Sequence, residues 1–193
     1  MGRPRNAAMD EAIRQVTMGL LRERGYGRLH LSDVIRRAGV SSASVYRRWP
    51  SKRPLVLELG RRALAGAPAP AAPSVRQDLL ELLTAWSRPE ALVFLRSALP
   101  ALIAEAAHDE DLAAGLRQLL AGPRDQVRAV LARAEPELAV DPGLVLDVLL
   151  GGLLGAQGTG DADSAAAHHR ALVNLILDGA AAAQGKRDPS EVG

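Results

Sequence analysis

Cysteine is absent from this 193-residue chain. No disulfide framework and no thiolate metal site is available to it, and a reducing compartment suits it. Aromatic residues are scarce: one Phe, two Tyr and two Trp. The core must therefore be built from Leu, Val, Ile and Ala. Long apolar runs are also missing. The longest, around 144–156, is interrupted by Asp147 and falls short of the ~20 residues a bilayer crossing needs. The first residues, MGRPRNAAMDEAIRQ, are charged and lack the apolar stretch of a secretory signal. A soluble cytoplasmic protein with no membrane partner is expected. No segment alternates apolar and polar residues over a strand's length, so no sheet is expected.

Catalytic furniture is equally thin. There is no phosphate-cradling glycine loop, since Gly151 and Gly152 lie in an apolar helical run. His168 and His169 are sequence neighbours and diverge on a helix, which makes them a poor metal pair. His108 precedes Asp109, Glu110 and Asp111, an ordinary acidic helix start. No enzyme, metal or cofactor is expected.

What is present is charge, unevenly placed. Residues 1–62 hold 14 Lys/Arg and 5 Asp/Glu, a net of +9, whereas residues 63–193 hold 10 and 17, a net of −7. The basic part expects a polyanion and the acidic part does not.

Helical periodicity runs through both parts. Residues 1–8 read as a flexible basic arm. Ala12, Ile13, Val16, Leu20 and Leu21 then mark a helix over 9–24. Two short helices follow, over 31–38 and 42–48, joined by a tight turn at Gly39, and Ser51 starts another that runs to about Leu64. This is the layout of a helix-turn-helix. Gly66, Pro68, Pro70 and Pro73 interrupt the chain beyond it. The body reads as helices over 75–87, 89–106, 109–134, 142–157 and 162–182, with kinks or breaks at Pro100 and Pro123. Residues 183–193 read as a disordered tail. The expected fold is all-α. A DNA-binding head over 9–65 carries the helix-turn-helix on three helices and ends in a connecting helix. A second helical domain follows over 66–182, and its tasks, effector binding and dimerisation, are what a family resemblance of the chain implies.

In the head, Val45 points inward and leaves a polar face. Ser42, Ala43 and Arg47 suit base edges, Ala43 through its methyl and Arg47 through a fork onto guanine. Ser44, Tyr46 and Lys52 suit phosphates. Trp49 is a candidate contact too, although it also fits the corner between the third and fourth helices. Arg3 and Arg5 could enter a minor groove, and His30 could meet a phosphate.

The run HLSDVIRRAGVSSASVYRRWPSK (residues 30–52), with Gly25 and Tyr26 before it and Leu55 and Val56 after it, resembles the DNA-binding domain of the tetracycline-repressor (TetR/AcrR) family of transcriptional regulators. Two positions depart from the pattern: His30 stands where the family usually has a capping Thr, and Pro54 replaces an ordinary helix former. The region 75–160 resembles, more loosely, a C-terminal domain of that family. The resemblance implies a homodimer, usually a repressor. It would bind a palindromic double-stranded DNA operator and release it when a small molecule enters the body.

The body offers candidates for both tasks. A mainly apolar effector would be walled by Leu79, Leu83, Trp86 and Phe94, with His108 or Gln157 as polar handles. A four-helix seam between subunits would use Gly151, Gly152, Gly155 and Ala156 with Ala165, His169, Leu172 and Ile176.

Overall fold

The computed structural model describes residues 3–65, 70–134, 138, 140–155 and 162–185. Among these, ten α-helices and no strands occur: α1 (Arg3–Arg24), α2 (Leu31–Ala38), α3 (Ser42–Tyr46), α4 (Lys52–Leu64), α5 (Val75–Trp86), α6 (Pro89–Ser97), α7 (Leu99–Ala106), α8 (Glu110–Leu131), α9 (Pro142–Gly155) and α10 (Ala162–Gly185). None is long and apolar enough to cross a membrane.

The helices differ from the expected ones in two informative places. α1 begins at Arg3, so most of the expected arm is helical. Pro4 sits at its second position, where the missing N–H would have had no acceptor anyway. The single helix expected over 89–106 is two, because Ala98 leaves helical geometry (φ −125°, ψ −49°) and Pro100 opens α7. α8 by contrast continues through Pro123.

The chain packs as two compact units that do not follow sequence order. One joins the stretch up to Ala63 with Pro89–Leu120; the other joins Leu64–Arg88 with the stretch from Ala121 onward. The first unit buries Ile13, Leu20 and Leu21 of α1, Val34 of α2, Val45 of α3 and Val56 of α4. It also buries Phe94 and Leu95 of α6 and Leu102 of α7. α6 and α7 are thus part of the scaffold that carries the helix-turn-helix. Gly60 shows how closely they fit: a Cβ there would lie 2.4 Å from Phe94 Cζ and 2.9 Å from Leu119 Cδ1.

In the second unit, Leu79, Leu83 and Trp86 of α5 are buried, as are Val127, Val130, Leu146, Leu149 and Val173, which form a second interior. One buried carboxylate fixes its entry. Asp78 accepts the amides of Ala71 (3.0 Å) and Ala72 (2.9 Å) and pairs with Arg133, which also donates to the Ala72 carbonyl (2.8 Å). The stretch just before α5 thereby gains partners for amides that lie outside any helix.

Gly60→Ala forces a methyl into the fully buried edge of Phe94. The expected loss is about 1–3 kcal/mol, the usual cost of overpacking. Urea unfolding of the variant beside the wild type checks it; equal midpoints would mean that the ring yields freely.

Candidate nucleic-acid interface

The turn into α3 is set by the backbone. Gly39 adopts the left-handed conformation (φ 65°, ψ 31°), and its N–H donates to the Ile35 carbonyl to close α2. Ser41 is extended (φ −72°, ψ 137°), and its Oγ accepts the Ser44 amide (3.3 Å) to open α3. Ser41 Oγ also donates to Ser44 Oγ (2.8 Å).

α3 has only five residues, and one anchor fixes its rotation: Val45 is completely buried. Ser42, Ala43, Tyr46 and Arg47 are therefore exposed, and Tyr46 is 48% exposed, unusual for an aromatic with nothing to cover. Ser44 is half-buried. His30 is exposed just before α2, and its side chain makes no capping hydrogen bond, as expected from its place in a position that suits Thr.

Two expected DNA contacts also hold partners within the scaffold. Trp49 is 5% exposed, its indole N–H donates to Glu58 (2.9 Å), and the Arg48 guanidinium covers its face at 4.3 Å. Its place is the corner between α3 and α4, with little aromatic surface left open. Lys52 donates to the carbonyls of Tyr26 (2.8 Å) and Gly27 (3.2 Å), with its ammonium 4.3 Å from the centre of the Tyr26 ring. The expected phosphate ligand thus has two of its three donors committed to the turn after α1. The side chains of Arg3 and Arg5 lie outside the described residues.

Lys52 leads to a cluster that sequence reasoning missed. Tyr26 is almost wholly buried. Its N–H donates to the Ser97 carbonyl (2.9 Å), which the break between α6 and α7 leaves available, and its hydroxyl to Glu105 (3.3 Å). Arg53 donates to Glu105 (3.3 Å) and pairs with Asp109. The Leu112 amide first, and Arg53 second, hold the Asp109 carboxyl below the usual carboxylate range. These partners lie 52 to 79 residues apart in sequence, so no local pattern announces them.

The body candidates divide as well. Phe94 is a packing residue of the first unit, whereas Trp86 belongs to the second, where its indole N–H donates to the Leu64 carbonyl (3.1 Å). Leu79 and Leu83 are fully buried, and His108 is exposed in the first unit. Of the seam candidates, Gly151, Gly155 and Ala165 are exposed. A Cβ at Gly151 or Gly155 would meet nothing within 4 Å. Gly152 instead faces its own α10, where a Cβ would lie 2.4 Å from Leu172 Cδ2. His169 contacts Ser87 Oγ (3.2 Å), and Ile176 is buried. Gly152, Leu172, His169 and Ile176 thus serve packing within one chain. Ala156 and Gln157 lie outside the described residues. Among the described residues no cluster of three or more metal-ligating side chains occurs.

An exposed short helix, oriented by one buried valine after a left-handed glycine turn, defines a helix-turn-helix regulator. Known proteins agree with that class. Residues 13–59 match the family of bacterial regulatory proteins of the tetR type, and residues 69–176 match the tetracycline repressor-like C-terminal domain. The chain belongs to the TetR family, a family of transcriptional regulators rather than enzymes.

The HTH-type transcriptional regulator Rv1556 of Mycobacterium tuberculosis is 47% identical over 70 residues, 35% of this chain and 34% of that one. AqdR of Rhodococcus erythropolis is 36% identical over 76 residues, 39% and 37% of the two chains. These matches span little more than a third of either relative. Solved structures align far more fully. The TetR family transcription regulator SCO0332 is 30% identical with a TM-score of 0.58, covering 89% of this chain and 97% of that one. Salmonella enterica GusR, at 20% identity, shares the fold with a TM-score of 0.66, covering 92% and 98%.

Burial, with the Glu105 carboxylate beside it, pushes the Tyr26 phenol up to about 12. The folded state holds this proton more tightly than the unfolded chain, whose phenol titrates near 10. The stabilisation is therefore complete below about pH 10 and lost as pH rises from about 10 through 12. Tyr26→Phe should remove part of that alkaline loss. Urea unfolding across this window checks it, and identical pH profiles for the two proteins would remove Tyr26 as the source.

Proposed function

We propose that the chain is a homodimeric repressor that binds a palindromic double-stranded DNA operator through α3 and releases it when a small, mainly apolar effector binds in the body. The observation that carries the DNA half is the rotation of α3: Val45 is fully buried while Ser42, Ala43, Tyr46 and Arg47 are open. Arg47 has no protein partner among the described residues, while its neighbour Arg48 is paired with Asp10. One of two adjacent guanidiniums is thus neutralised and the other is free to read a base. Tyr46 serves a phosphate through its hydroxyl, and Ser44 shares that task after rotating from Ser41. Ser42 and Ala43 meet base edges.

A second copy of the chain is the partner that suits α9 and α10. Leu144 and Leu175 are 56% and 68% exposed. Val145, Val148, Ile176 and Ala180 help line an open apolar groove of about 350 Å³ beside Leu144. Gly151 and Gly155 continue the exposed face of α9 with no side chain to hold a neighbour away. An isologous four-helix packing would cover these residues in both copies.

The effector reading rests on the interior of the second unit. Its buried side chains are nearly all aliphatic, and the carboxylate of Asp78 is already engaged. Among the described residues the one buried side-chain polar atom there without a partner is Gln126 Oε1, an uncharged acceptor, so a charged compound would find no counter-charge to pair with. Leu79, Leu83 and Trp86 would need uncovering on binding, so Trp86 fluorescence reports entry.

Selection from random duplex DNA, followed by sequencing, should enrich a palindrome with two half-sites. Arg47→Ala should then cost roughly 1–3 kcal/mol on that operator and relax preference at one base pair. No enriched palindrome would sink the operator reading, and equal losses on operator and random DNA would make Arg47 a phosphate contact.

Gly151→Leu adds a side chain into open space on the single chain, so folding should be unaffected. Sedimentation at micromolar concentration should show a folded monomer in place of a dimer. A dimer of wild-type stability would place the interface elsewhere.

A further inference from the structure

The head is basic by composition, yet most of its cations are already used. Arg14 pairs with Glu11 and Glu90, Arg24 and Arg36 with Asp33, Arg37 with Glu23, and Arg62 with Glu58. Arg48, Lys52 and Arg53 are engaged as described above. Among the described side chains up to Leu64, the cations that form neither a hydrogen bond nor an ion pair are Arg22, Arg28, Arg47 and Arg61. Arg47 is the proposed base reader. Arg22 lies along a groove with Pro89, Glu90 and Val93 of α6, and Arg61 lies in the last turn of α4.

Arg28 is different. It occupies the third position of a turn closed by the Leu29 amide on the Tyr26 carbonyl (3.2 Å). Leu29 is fully buried, Lys52 holds the carbonyls of Tyr26 and Gly27, and Ser97 holds the Tyr26 amide. The backbone on both sides of Arg28 is therefore fixed. Its side chain is exposed and follows no carboxylate. Two residues on, His30 is exposed at the start of α2 with its ring unused. In a helix-turn-helix, the first of the two helices crosses the phosphate backbone while the second enters the groove.

The geometry points to Arg28 as a further DNA contact, a phosphate clamp acting with His30 where α2 meets the backbone. This rests on the DNA-binding reading above. A rigid turn spares most of the ordering cost that a guanidinium on a mobile loop would carry. The contact carries no sequence information; it fixes the depth and register at which α3 meets the bases. The clamp also gives a role to the engagement of Lys52: it anchors the turn, and Arg28 on that turn supplies the charge.

The test is a salt titration on a random-sequence 30-base-pair duplex, which needs no knowledge of the operator. For Arg28→Ala, the plot of log affinity against log salt should be shallower than the wild-type plot by about one unit, with roughly five- to tenfold weaker binding near 0.1 M salt. Arg28→Lys should restore the slope, and Arg22→Ala should leave it unchanged. An Arg28→Ala slope equal to the wild type's overturns the proposal. So does an equal change in Arg22→Ala, which would reduce the effect to net charge. Wild-type protein without salt-dependent DNA binding would overturn the DNA-binding reading, and the clamp with it. Arg28 is exposed and forms no hydrogen bond or ion pair among the described residues, so a circular dichroism spectrum like the wild type's is expected for each Arg28 variant.

Discussion

Everything at the exposed end of the molecule depends on one backbone angle. At Gly39 the chain takes φ 65°, a region that costs an L side chain roughly 1 kcal/mol or more. A Cβ there would meet no atom within 4 Å, so the glycine answers a demand of conformation and not of space. That turn ends α2, and Ser41 restarts the chain as α3 two residues later. Five residues cannot hold a helix by propensity, since nucleation costs more than so few hydrogen bonds return. α3 persists because Ser41 caps it and Val45 is pinned in the core. The same pin decides which side chains are left outside.

Charge is sorted by a similar economy. Asp10, Glu23, Asp33 and Glu58 are few against the head's arginines, but each lies beside one. Exposed pairs of this kind add little stability, typically below about 1 kcal/mol. Their larger effect is to remove cations from the field that a polyanion meets. The net charge of +9 in residues 1–62 thus overstates what DNA would feel locally. The unpaired guanidiniums, more than the basic total, define the electrostatic footprint.

Local patterns made the helices and the helix-turn-helix legible. Periodicity placed α2 at its observed bounds, glycine placed the turn, and the apolar Val45 among polar neighbours gave the rotation of α3. What failed to show were roles settled by distant partners. Trp49 looks like a DNA contact until Glu58 takes its N–H, and Lys52 looks like a phosphate ligand until the Tyr26 and Gly27 carbonyls take its ammonium. Phe94 and Trp86 look like one aromatic wall because they are close in sequence. The boundary between the packing units falls between them, before Pro89. Gly152 looks equivalent to Gly151 and Gly155, but helical rotation turns it onto Leu172. In each case residue type is correct and the partner is unknowable from spacing.

The first unit gives this limit a physical consequence. The turn that carries Arg28 is held by the Ser97 carbonyl and by Glu105, both from the stretch 89–120, as well as by Lys52. Arg53, next to Lys52 on α4, is held by Glu105 and Asp109 of the same stretch. A shift of α6 or α7 relative to α1 and α4 would remove hydrogen-bond acceptors from both residues at once. Water can replace the carboxylates at the partly exposed Arg53, but the buried Tyr26 amide would lose the Ser97 carbonyl, so such a shift carries a free-energy cost at the helix-turn-helix scaffold. Any ligand that alters operator affinity must draw on differences of this kind. Linkage limits the change in affinity to the difference in ligand binding between the two arrangements, about 1.4 kcal/mol for each factor of ten. The polar ties around Tyr26 are of that magnitude.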